Sequence, residues 1–245
     1  MKFLKIIILN LGMLLVASLY LSCNKETPGI ASFRGVNFTS TVQVFSATVK
    51  AARNYVYVDG VPVSGATFGY QGVFPGTAYS FNVGASSHTF LIKDTLPATT
   101  QVPLTFVQTM APGSNYTIFT YDTTTSVKQL TVTNKIVVPK DTTCMLRFAN
   151  FVYNTTAVPA VDVYSFRRGA LPVFTNIATT SVTDFIPYAS GITDTLYVYA
   201  TGTVSPLIVK QFVTSLTPSR SYTSVYNGSY KGAIATRAVT TFATY

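Results

Sequence analysis

The sequence predicts an all-β protein in which two antiparallel β-sandwich domains follow a cleaved signal peptide. Three observations support this. Short alternating runs rich in Val, Thr, Tyr and Phe recur between Gly, Pro, Asn and Ser residues, as they do in antiparallel sandwiches. No segment after the first apolar run keeps a helical period for three turns. Finally, the two halves of the chain resemble each other.

The first segment, residues 1–22, has the pattern of a secretory signal peptide. Lys2 and Lys5 precede the apolar run "IIILNLGMLLVASLYL", which ends at small residues. A first core helix is the poorer interpretation, because the run has no polar face. A membrane-spanning helix needs about 20 apolar residues, and here Asn10 interrupts the run while no stop-transfer charge cluster follows it. The sequence therefore predicts an exported precursor.

The end of this run, "LYLSC", resembles the lipobox of bacterial lipoproteins. Ser22 is the small residue before the cut and Cys23 is the residue to be lipidated, although Tyr20 stands where the usual pattern has Leu. The resemblance implies acyl chains such as palmitate on Cys23, and two or more chains anchor a protein stably. Residues 23–28 would then form a tether. Asn24 implies the outer membrane, at its periplasmic face or at the cell surface.

The strands are predicted from alternation. In "NYVYV", Tyr55 and Tyr57 point to one side while Val56 and Val58 point to the other. Asp59-Gly60 then forms a hairpin turn before "VPV". The runs that predict strands are, in chain order, "NYVYVDGVPV" (54–63), "AYSFNVG" (78–84), "TFLIKD" (89–94), "NYTIFTY" (115–121), "KQLTVTNKIVV" (128–138), "AVDVYSF" (160–166), "TLYVYATG" (195–202) and "PLIVKQFV" (206–213).

An internal repeat predicts the domain organisation. "FRGVNF" (33–38) matches "LRFANF" (146–151), and "FVQTMAPGSNYT" (106–117) matches "FVTSLTPSRSYT" (212–223). The match predicts two immunoglobulin-like or prealbumin-like sandwich domains, residues 29–136 and 142–245, joined by a linker at 137–141. In both copies a tyrosine, Tyr116 or Tyr222, stands four residues after a proline. We expect each to begin a strand and to bond loop backbone through its hydroxyl, as in a tyrosine corner.

The second copy resembles a known family. Its segment "CMLRFANFVYNTTAVPAVDVYSF" (144–166) is similar to the start of DUF4397 domains of bacterial envelope proteins. The matching residues are Arg147, Asn150, Pro159, Val161, Asp162, Val163 and Tyr164. The first copy departs from the pattern, with "NFTSTVQVFSATVKAARNYVYVDG" in place of the proline-containing loop. The resemblance implies a fold and an envelope location but no activity, because the family is of unknown function.

Composition excludes several classes of protein. The formal net charge is +9, or +7 without the signal peptide, and the basic residues are scattered rather than arranged in a stripe, so nucleic acid is not an expected partner. With Cys23 lipidated, Cys144 has no cysteine partner and no disulfide framework is possible. We expect Cys144 to pack as a small apolar residue at the start of a strand.

The catalytic signals are weak. His88 is the only histidine, and with Ser86 and Ser87 beside it any Ser-His-Asp arrangement would have to use it, but a hairpin or strand-edge role is favoured. No zinc spacing, P-loop or clustered acids are present. The sequence therefore predicts a non-enzymatic protein without cofactor or metal. Asp162 is open to two interpretations: a ligand site, or a buried carboxylate that bonds a neighbouring loop and pairs with Arg147.

Two functions remain open. The first is a lipid-anchored binding or adhesion module for a glycan or an envelope protein, attached to the membrane by its anchor. The alternative is a structural spacer or subunit of a surface assembly, with a hydrolase further behind. Trp, the usual sugar-stacking residue, is absent, but a tyrosine platform is possible. Exposed coplanar tyrosines would favour binding, whereas a flat apolar sheet edge would favour assembly.

Asp-Thr recurs in the chain and has two interpretations. It resembles the Asp-Ser/Thr-aliphatic acceptor sequence for O-glycosylation of exported proteins in one Gram-negative group. Equally, Asp-Thr is ordinary chemistry of turns and strand entries. Glycosylation requires the threonine to be exposed. The candidate acceptors are Thr95, Thr123, Thr142 and Thr195.

Overall fold

The computed structural model describes residues 38–169, 171–213, 215–231 and 236–244. The predicted signal peptide, the tether and Cys23 lie outside these residues. From Phe38 onward the chain forms one compact unit. Its secondary structure is β throughout the described ranges, as the sequence predicts. No helix in these ranges is long and apolar enough to span a bilayer.

Eighteen strands make up the described part of the chain, nine in each half. Those of the first half are β1 (Thr39–Ser46), β2 (Asn54–Val58), β3 (Val61–Pro62), β4 (Val73–Phe74), β5 (Phe81–Gly84), β6 (Ser87–Asp94), β7 (Leu104–Thr109), β8 (Asn115–Tyr121) and β9 (Lys128–Thr133). Those of the second half are β10 (Cys144–Asn150), β11 (Val161–Ser165), β12 (Pro172–Ile177), β13 (Ser181–Val182), β14 (Ile186–Tyr188), β15 (Asp194–Ala200), β16 (Val209–Val213), β17 (Ser221–Gly228) and β18 (Arg237–Ala243).

Each half contains two sheets, and the strand order is the same in both halves. The first inner sheet has the order β4-β1-β8-β9 with β5 also on β1, and the second inner sheet has β13-β10-β17-β18 with β14 also on β10. The outer sheets are β3-β2-β6-β7 and β12-β11-β15-β16. In the described ranges no sheet contains strands from both halves, and residues 134–143 between β9 and β10 carry no strand.

Most strand pairs are antiparallel, as predicted, but β1 pairs with β8 and β10 pairs with β17 in parallel. Parallel neighbours require a long crossover connection. In both halves, all strands of the outer sheet lie between these two strands in the sequence. The outer sheet therefore forms the crossover connection. Alternation within a single strand carries no information on this point, so the sequence does not reveal the parallel pairs.

Strand register corrects one part of the repeat. Tyr116 lies opposite Val42, and Tyr222 lies opposite Leu146, so Val42 and Leu146 occupy equivalent positions. The residue of the first half that is equivalent to Arg147 is therefore Gln43. The strand equivalent to "LRFANF" is β1, and not the segment "FRGVNF" at 33–38. The Arg, Asn and Phe residues that the two segments share are therefore not at equivalent positions of the two halves. The second match, which contains the two tyrosines, agrees with the register.

The hydrophobic core has three parts. One lies between the sheets of the first half and includes Val42, Val56 and Phe90, while another lies between the sheets of the second half and includes Leu146 and Val163. The third connects the halves. Its buried members lie in, or directly after, strands of both inner sheets and are Phe45, Ala47, Phe119, Ala149, Phe151, Val225 and Phe242. The four sheets are therefore stacked, with the two inner sheets packed face to face.

This stacking explains why the inner strands are buried on both sides. In β1, Val42 and Val44 belong to the core of the first half, while Phe45 points to the other half. In β10, every residue from Cys144 to Asn150 is buried. Strands covered on both faces lose the alternation of apolar and polar residues. The inner strands also carry glutamine, threonine and asparagine side chains that form hydrogen bonds across the interface between the halves.

Candidate functional site

Polar side chains at equivalent positions connect the halves. The Gln43 amide donates to the carbonyl oxygens of Gly76, at 2.9 Å, and Ala243 of the other half, at 3.2 Å. Arg147 Nε donates to Thr223 Oγ1 at 2.9 Å, and one terminal nitrogen of Arg147 donates to Thr117 Oγ1 of the first half at 3.2 Å. The interface between the halves is therefore specified by hydrogen bonds as well as by apolar packing.

Arg147 is buried without a carboxylate at ion-pair distance in the described residues. It is 2 % exposed, and its guanidinium lies 4.6 Å from the centre of the Phe185 ring. Burial lowers the pKa of Arg147, and the charge of Asp184 offsets this only in part. Threonine hydroxyls and an aromatic face replace the anionic partner that a buried arginine usually has.

At one end of this interface lies a cleft with a volume of about 240 Å³. We call it the junction cleft. The first half contributes Tyr121, Asp122 and Lys128, and the second half contributes the segment 151–158 together with Thr179 and Thr180. Small-molecule sites favour such junctions between structural units, where apolar walls and a few polar groups meet.

The aromatic wall of the junction cleft is held by the core beneath it. The Phe151 ring stacks on the Phe119 ring with ring centres 4.7 Å apart. Phe151 also contacts Tyr121, with ring centres 5.3 Å apart. Phe151 is buried, whereas Tyr121 and Tyr153 are half-buried. The rings of Phe119, Phe151 and Tyr121 thus form a continuous contact from the shared core to the cleft.

Backbone bonds hold the opposite wall. The Tyr153 N–H donates to the Gly228 carbonyl at 2.7 Å, and the Tyr153 carbonyl accepts from Tyr230 at 2.8 Å. Beyond it, Asn154 and Thr156 bond each other through their side chains at 2.9 Å. This wall therefore offers an aromatic ring followed by amide and hydroxyl groups.

An ion pair lies in the same cleft. Lys128 Nζ is 2.7 Å from Asp122 Oδ2, and this contact raises the pKa of Lys128. The pairing cancels the charge of both groups, so the cleft presents hydrogen-bonding groups without a net charge from these two. Its chemistry suits a neutral polar ligand with an apolar face better than an anion or a cation.

A second depression between the halves is less well formed. It has a volume of about 470 Å³ and its lining includes Tyr79, Asn115 and Arg220. Tyr79 is 70 % exposed, so packing does not hold its ring in one orientation. We therefore take the junction cleft as the candidate site.

Among the described residues, the two tyrosine pairs in ring contact on the outer sheets are not flat platforms. Tyr55 and Tyr57 on the first outer sheet are tilted by 47° to each other, with Lys93 over the Tyr57 ring. Tyr164 and Tyr199 on the second outer sheet meet edge to face at 82°. All four are half-buried. Coplanar rings, the arrangement that would indicate a sugar platform, occur in neither pair.

The structure brings His88 together with Asp59 and Ser86. Asp59 Oδ2 is 2.6 Å from His88 Nδ1, and Ser86 Oγ is 2.8 Å from His88 Nε2. The His88 hydrogen bond, followed by the Thr89 N–H, lowers the pKa of Asp59. However, the Gly84 carbonyl also lies 2.9 Å from Nε2 and requires that nitrogen as a donor. A general base needs its lone pair directed at the serine. The contacts therefore fit a structural hydrogen-bond network around the hairpin better than an activated nucleophile.

Asp59 has a clear structural role in that hydrogen-bond network. Asp59 and Gly60 both have positive φ, 51° and 81°, and β2 pairs with β3 directly across them. This is the predicted hairpin turn, of the kind with two left-handed residues. The second oxygen of Asp59 accepts from the Thr89 N–H at 2.9 Å, which fixes the turn to β6.

Asp162 follows the structural interpretation in part. It is buried and accepts hydrogen bonds from the N–H groups of Asn176 and Gly202, at 2.7 Å and 2.9 Å. Gly202 lies in the loop after β15, as expected, whereas Asn176 lies in the neighbouring strand β12. The suggested pairing with Arg147 is wrong, because Arg147 points to the other side of β10, toward the first half.

Cys144 lies where the sequence predicts it, as the first residue of β10. It is a free, fully buried thiol near the Tyr188 carbonyl, and burial raises its pKa to about 11. Such a thiol is unreactive at neutral pH.

The four candidate threonines differ in exposure. Thr95 and Thr142 are exposed, whereas Thr123 and Thr195 are half-buried. The aspartates before them bond nearby groups: Asp194, for example, accepts from the Thr195 N–H at 2.6 Å. These contacts are the turn and strand-entry chemistry of the alternative interpretation, while exposure leaves two of the sites open to modification.

No signal in the sequence identifies the residues of the junction cleft. Tyr121 is recognisable only as the end of a predicted strand, and Tyr153 lies in a loop that the repeat does not place. They meet only because the inner sheets pack together. No family model matches the chain, and no curated protein matches it. The resemblance of segment 144–166 to DUF4397 domains therefore rests on its motif alone. Within the described ranges no group of three or more His, Cys, Asp or Glu could hold a metal ion.

Proposed function

We propose that the chain is a lipid-anchored envelope protein that binds a neutral glycan without catalysis, and that the junction cleft is its binding site. Each half would be a sandwich domain of the predicted kind, and Cys23 would carry the acyl anchor in the outer membrane. Export is supported by the apolar run before "LSCN". The observation that carries the binding proposal is the junction cleft.

Three properties of the cleft support a glycan. Its rings, Tyr121 and Tyr153, are amphipathic and can cover the apolar face of a sugar while their hydroxyls remain wet. Asn154, Thr156 and Thr180 provide amide and hydroxyl groups for sugar hydroxyls. Its volume of about 240 Å³ is small, which suits one sugar unit at the end or side of a chain.

The binding test uses the full chain, purified in detergent, and an array of neutral bacterial surface polysaccharides. We expect the wild type to bind at least one of them. Tyr153→Ala should lose that binding, because it removes a ring from the wall. Tyr57→Ala is the matched control, since it removes another half-buried tyrosine on the first outer sheet. Equal binding by wild type and Tyr153→Ala would contradict the proposed site.

The anchor has its own test. Wild type and Cys23→Ala are expressed in a Gram-negative host that is fed an acyl label. We expect the wild type to be labelled and to fractionate with the outer membrane, and the variant to remain unlabelled. If both are unlabelled and equally soluble, Cys23 is not an anchor.

The alternative function, a subunit of a surface assembly, is favoured by a separate feature: one uncharged strand at the edge of the first outer sheet.

A further inference from the structure

Strand β7 is an unprotected sheet edge. It is the last strand of the first outer sheet, and β6 is the one strand that it packs beside closely in the described ranges. Its sequence, "LTFVQT", contains no charged residue and no proline, and its pairing with β6 runs without a bulge. Natural proteins usually protect such edges with charges, proline or bulges, because a free edge can pair with another chain.

Every other edge strand of five or more described residues carries one of these protections. Lys128 lies in β9, Lys210 in β16, Arg237 in β18 and Pro172 in β12. The equivalent edge in the second half is also covered, because β16 packs beside β18. The contrast lies within one molecule and between strands of the same topology, so it is specific to β7.

The register shows which backbone groups of β7 face outward. The Met110 N–H donates to the Ser86 carbonyl, so this pair is hydrogen-bonded. In an antiparallel pair, bonded and non-bonded positions alternate, and Phe106 is therefore bonded to β6 while its neighbours are not. The residues whose backbone groups turn outward are Thr105, Val107 and Thr109. Of these, the Thr109 carbonyl accepts from the Gln108 side chain at 3.1 Å.

We propose that β7 pairs antiparallel with β7 of a second copy of this chain, with Val107 on the two-fold axis. In this register Val107 faces Val107 of the second copy and Thr105 faces Thr109. These are β-branched cross-strand pairs, which stabilise sheets. The two outer sheets then become one continuous sheet of eight strands.

Self-complementarity favours a second copy as the occupant. The residues that turn outward, Thr105, Val107 and Thr109, read the same in both directions about Val107, so each strand offers the other an identical row of uncharged β-branched residues. None of the chain's net positive charge, +7 without the signal peptide, lies on β7. Val107 is 66 % exposed, so pairing also removes an apolar side chain from water. A two-fold axis makes the contact self-complementary and closed, which gives a dimer rather than a fibre.

Cysteine cross-linking in membranes of cells that express the full chain tests the register. Four residues of a strand span about 14 Å at about 3.4 Å per residue. Because Thr105 faces Thr109 of the second copy, Thr105 of one copy is therefore about 14 Å from Thr105 of the other, and the same holds for Thr109. After mild oxidation we expect Val107→Cys to form a disulfide-linked dimer. Thr105→Cys and Thr109→Cys should cross-link only when the two variants are expressed together. The unmodified chain, which keeps Cys23 and Cys144, gives the background.

The matched control is Phe212→Cys in β16, which is also 66 % exposed but lies at the covered edge. It should remain at background. A second variant, Val107→Lys combined with Thr105→Cys and Thr109→Cys, should lose the cross-link because two lysines would meet on the axis. No dimer from Val107→Cys, equal dimer from Phe212→Cys, or a cross-link to a different protein would each overturn the proposal. Loss of glycan binding by Tyr153→Ala would leave it untouched.

Discussion

Tyr116 and Tyr222 occupy the same place in the two halves and make the same bond. Each is the second residue of its strand, and each hydroxyl accepts from a backbone N–H five residues earlier, Ala111 or Thr217, at 2.9 Å in both cases. The predicted hydroxyl bond to loop backbone is confirmed at both positions, but the burial of the two rings differs, since Tyr116 is buried and Tyr222 half-buried. The bond could be predicted because the turn, the tyrosine and its bonding partner all lie within one short segment.

These tyrosines should contribute to stability equally through their hydroxyls. Tyr→Phe should cost about 1 kcal/mol at either position, the usual net value of one hydrogen bond. Tyr116→Ala should cost about 3–5 kcal/mol, as for a buried aromatic, and Tyr222→Ala less, because Tyr222 is only half-buried. Thermal melts measure this, with Tyr79→Phe as an exposed control. An unchanged melting temperature for both alanine variants would contradict the structural role.

Asp194 is the residue that should make stability depend on pH. Burial alone would raise its pKa, but hydrogen bonds from Ser165, Tyr188 and the N–H groups of Thr195 and Arg167 outweigh burial and lower it. A lowered carboxyl pKa stabilises the fold above the unfolded value, about 3.9, and this stabilisation is lost as the pH falls through the folded value.

Asp194→Asn should therefore destabilise the protein at pH 7 by about 1–3 kcal/mol, because the hydroxyl and amide donors lose their ionised partner. The difference from wild type should shrink toward pH 2, where the wild-type carboxyl is protonated. Urea unfolding at both pH values measures this. A difference that stays constant between pH 7 and pH 2 would show that ionisation of Asp194 does not contribute.

At the scale of strands, the sequence predicts many elements but little of their pairing; β1, β12 and β18 lie in none of the predicted runs, and the run at 128–138 is a strand only over Lys128–Thr133. "NYVYV" and "TLYVYA" became the outer strands β2 and β15, in which buried and half-buried residues alternate, and "NYTIFTY" became the inner strand β8, whose central residues are all buried. The parallel pairing of β10 with β17 could not be predicted, since pairing joins segments far apart in the chain. The match between "FRGVNF" and "LRFANF" gave the wrong equivalent strand for a related reason. Similar residues in two short segments do not determine strand register.

Arg147 and Gln43 show how equivalent positions in the two inner sheets diverged. Both lie at the interface and bond the opposite half, but only Arg147 brings a charge. Buried charges are costly to desolvate, and apolar replacements of similar size are often neutral or stabilising. The apolar contacts of the interface, rather than this charge, should therefore provide most of its stability.

Arg147→Met should fold with an unchanged or higher melting temperature, because Thr117 keeps Asn134 and Thr223 keeps Thr244 as hydrogen-bond partners. Arg147→Ala is the comparison and should lose about 2–5 kcal/mol through the cavity that it leaves. Thermal melts of both variants decide. A loss of more than about 3 kcal/mol in Arg147→Met would show that the charge itself stabilises the interface.

At the scale of the whole molecule, the repeat predicts two similar halves but not their packing. Residues that face the other half, such as Phe45, Phe119 and Phe151, are indistinguishable in sequence from ordinary core residues. The junction cleft depends on this packing, so it was unpredictable too. We infer that the two halves are joined through their inner sheets into one body, and the proposed binding site exists only in that body.

Differential scanning calorimetry tests this claim most directly, on a chain that lacks residues 1–22 and carries Cys23→Ala. Because the halves share the core around Phe151, we expect one transition whose calorimetric and van 't Hoff enthalpies agree. Phe151→Ala, which removes a fully buried ring from the shared core, should lower the stability by about 3–5 kcal/mol. Two resolved transitions in the wild type, each with about half of the enthalpy, would contradict the claim.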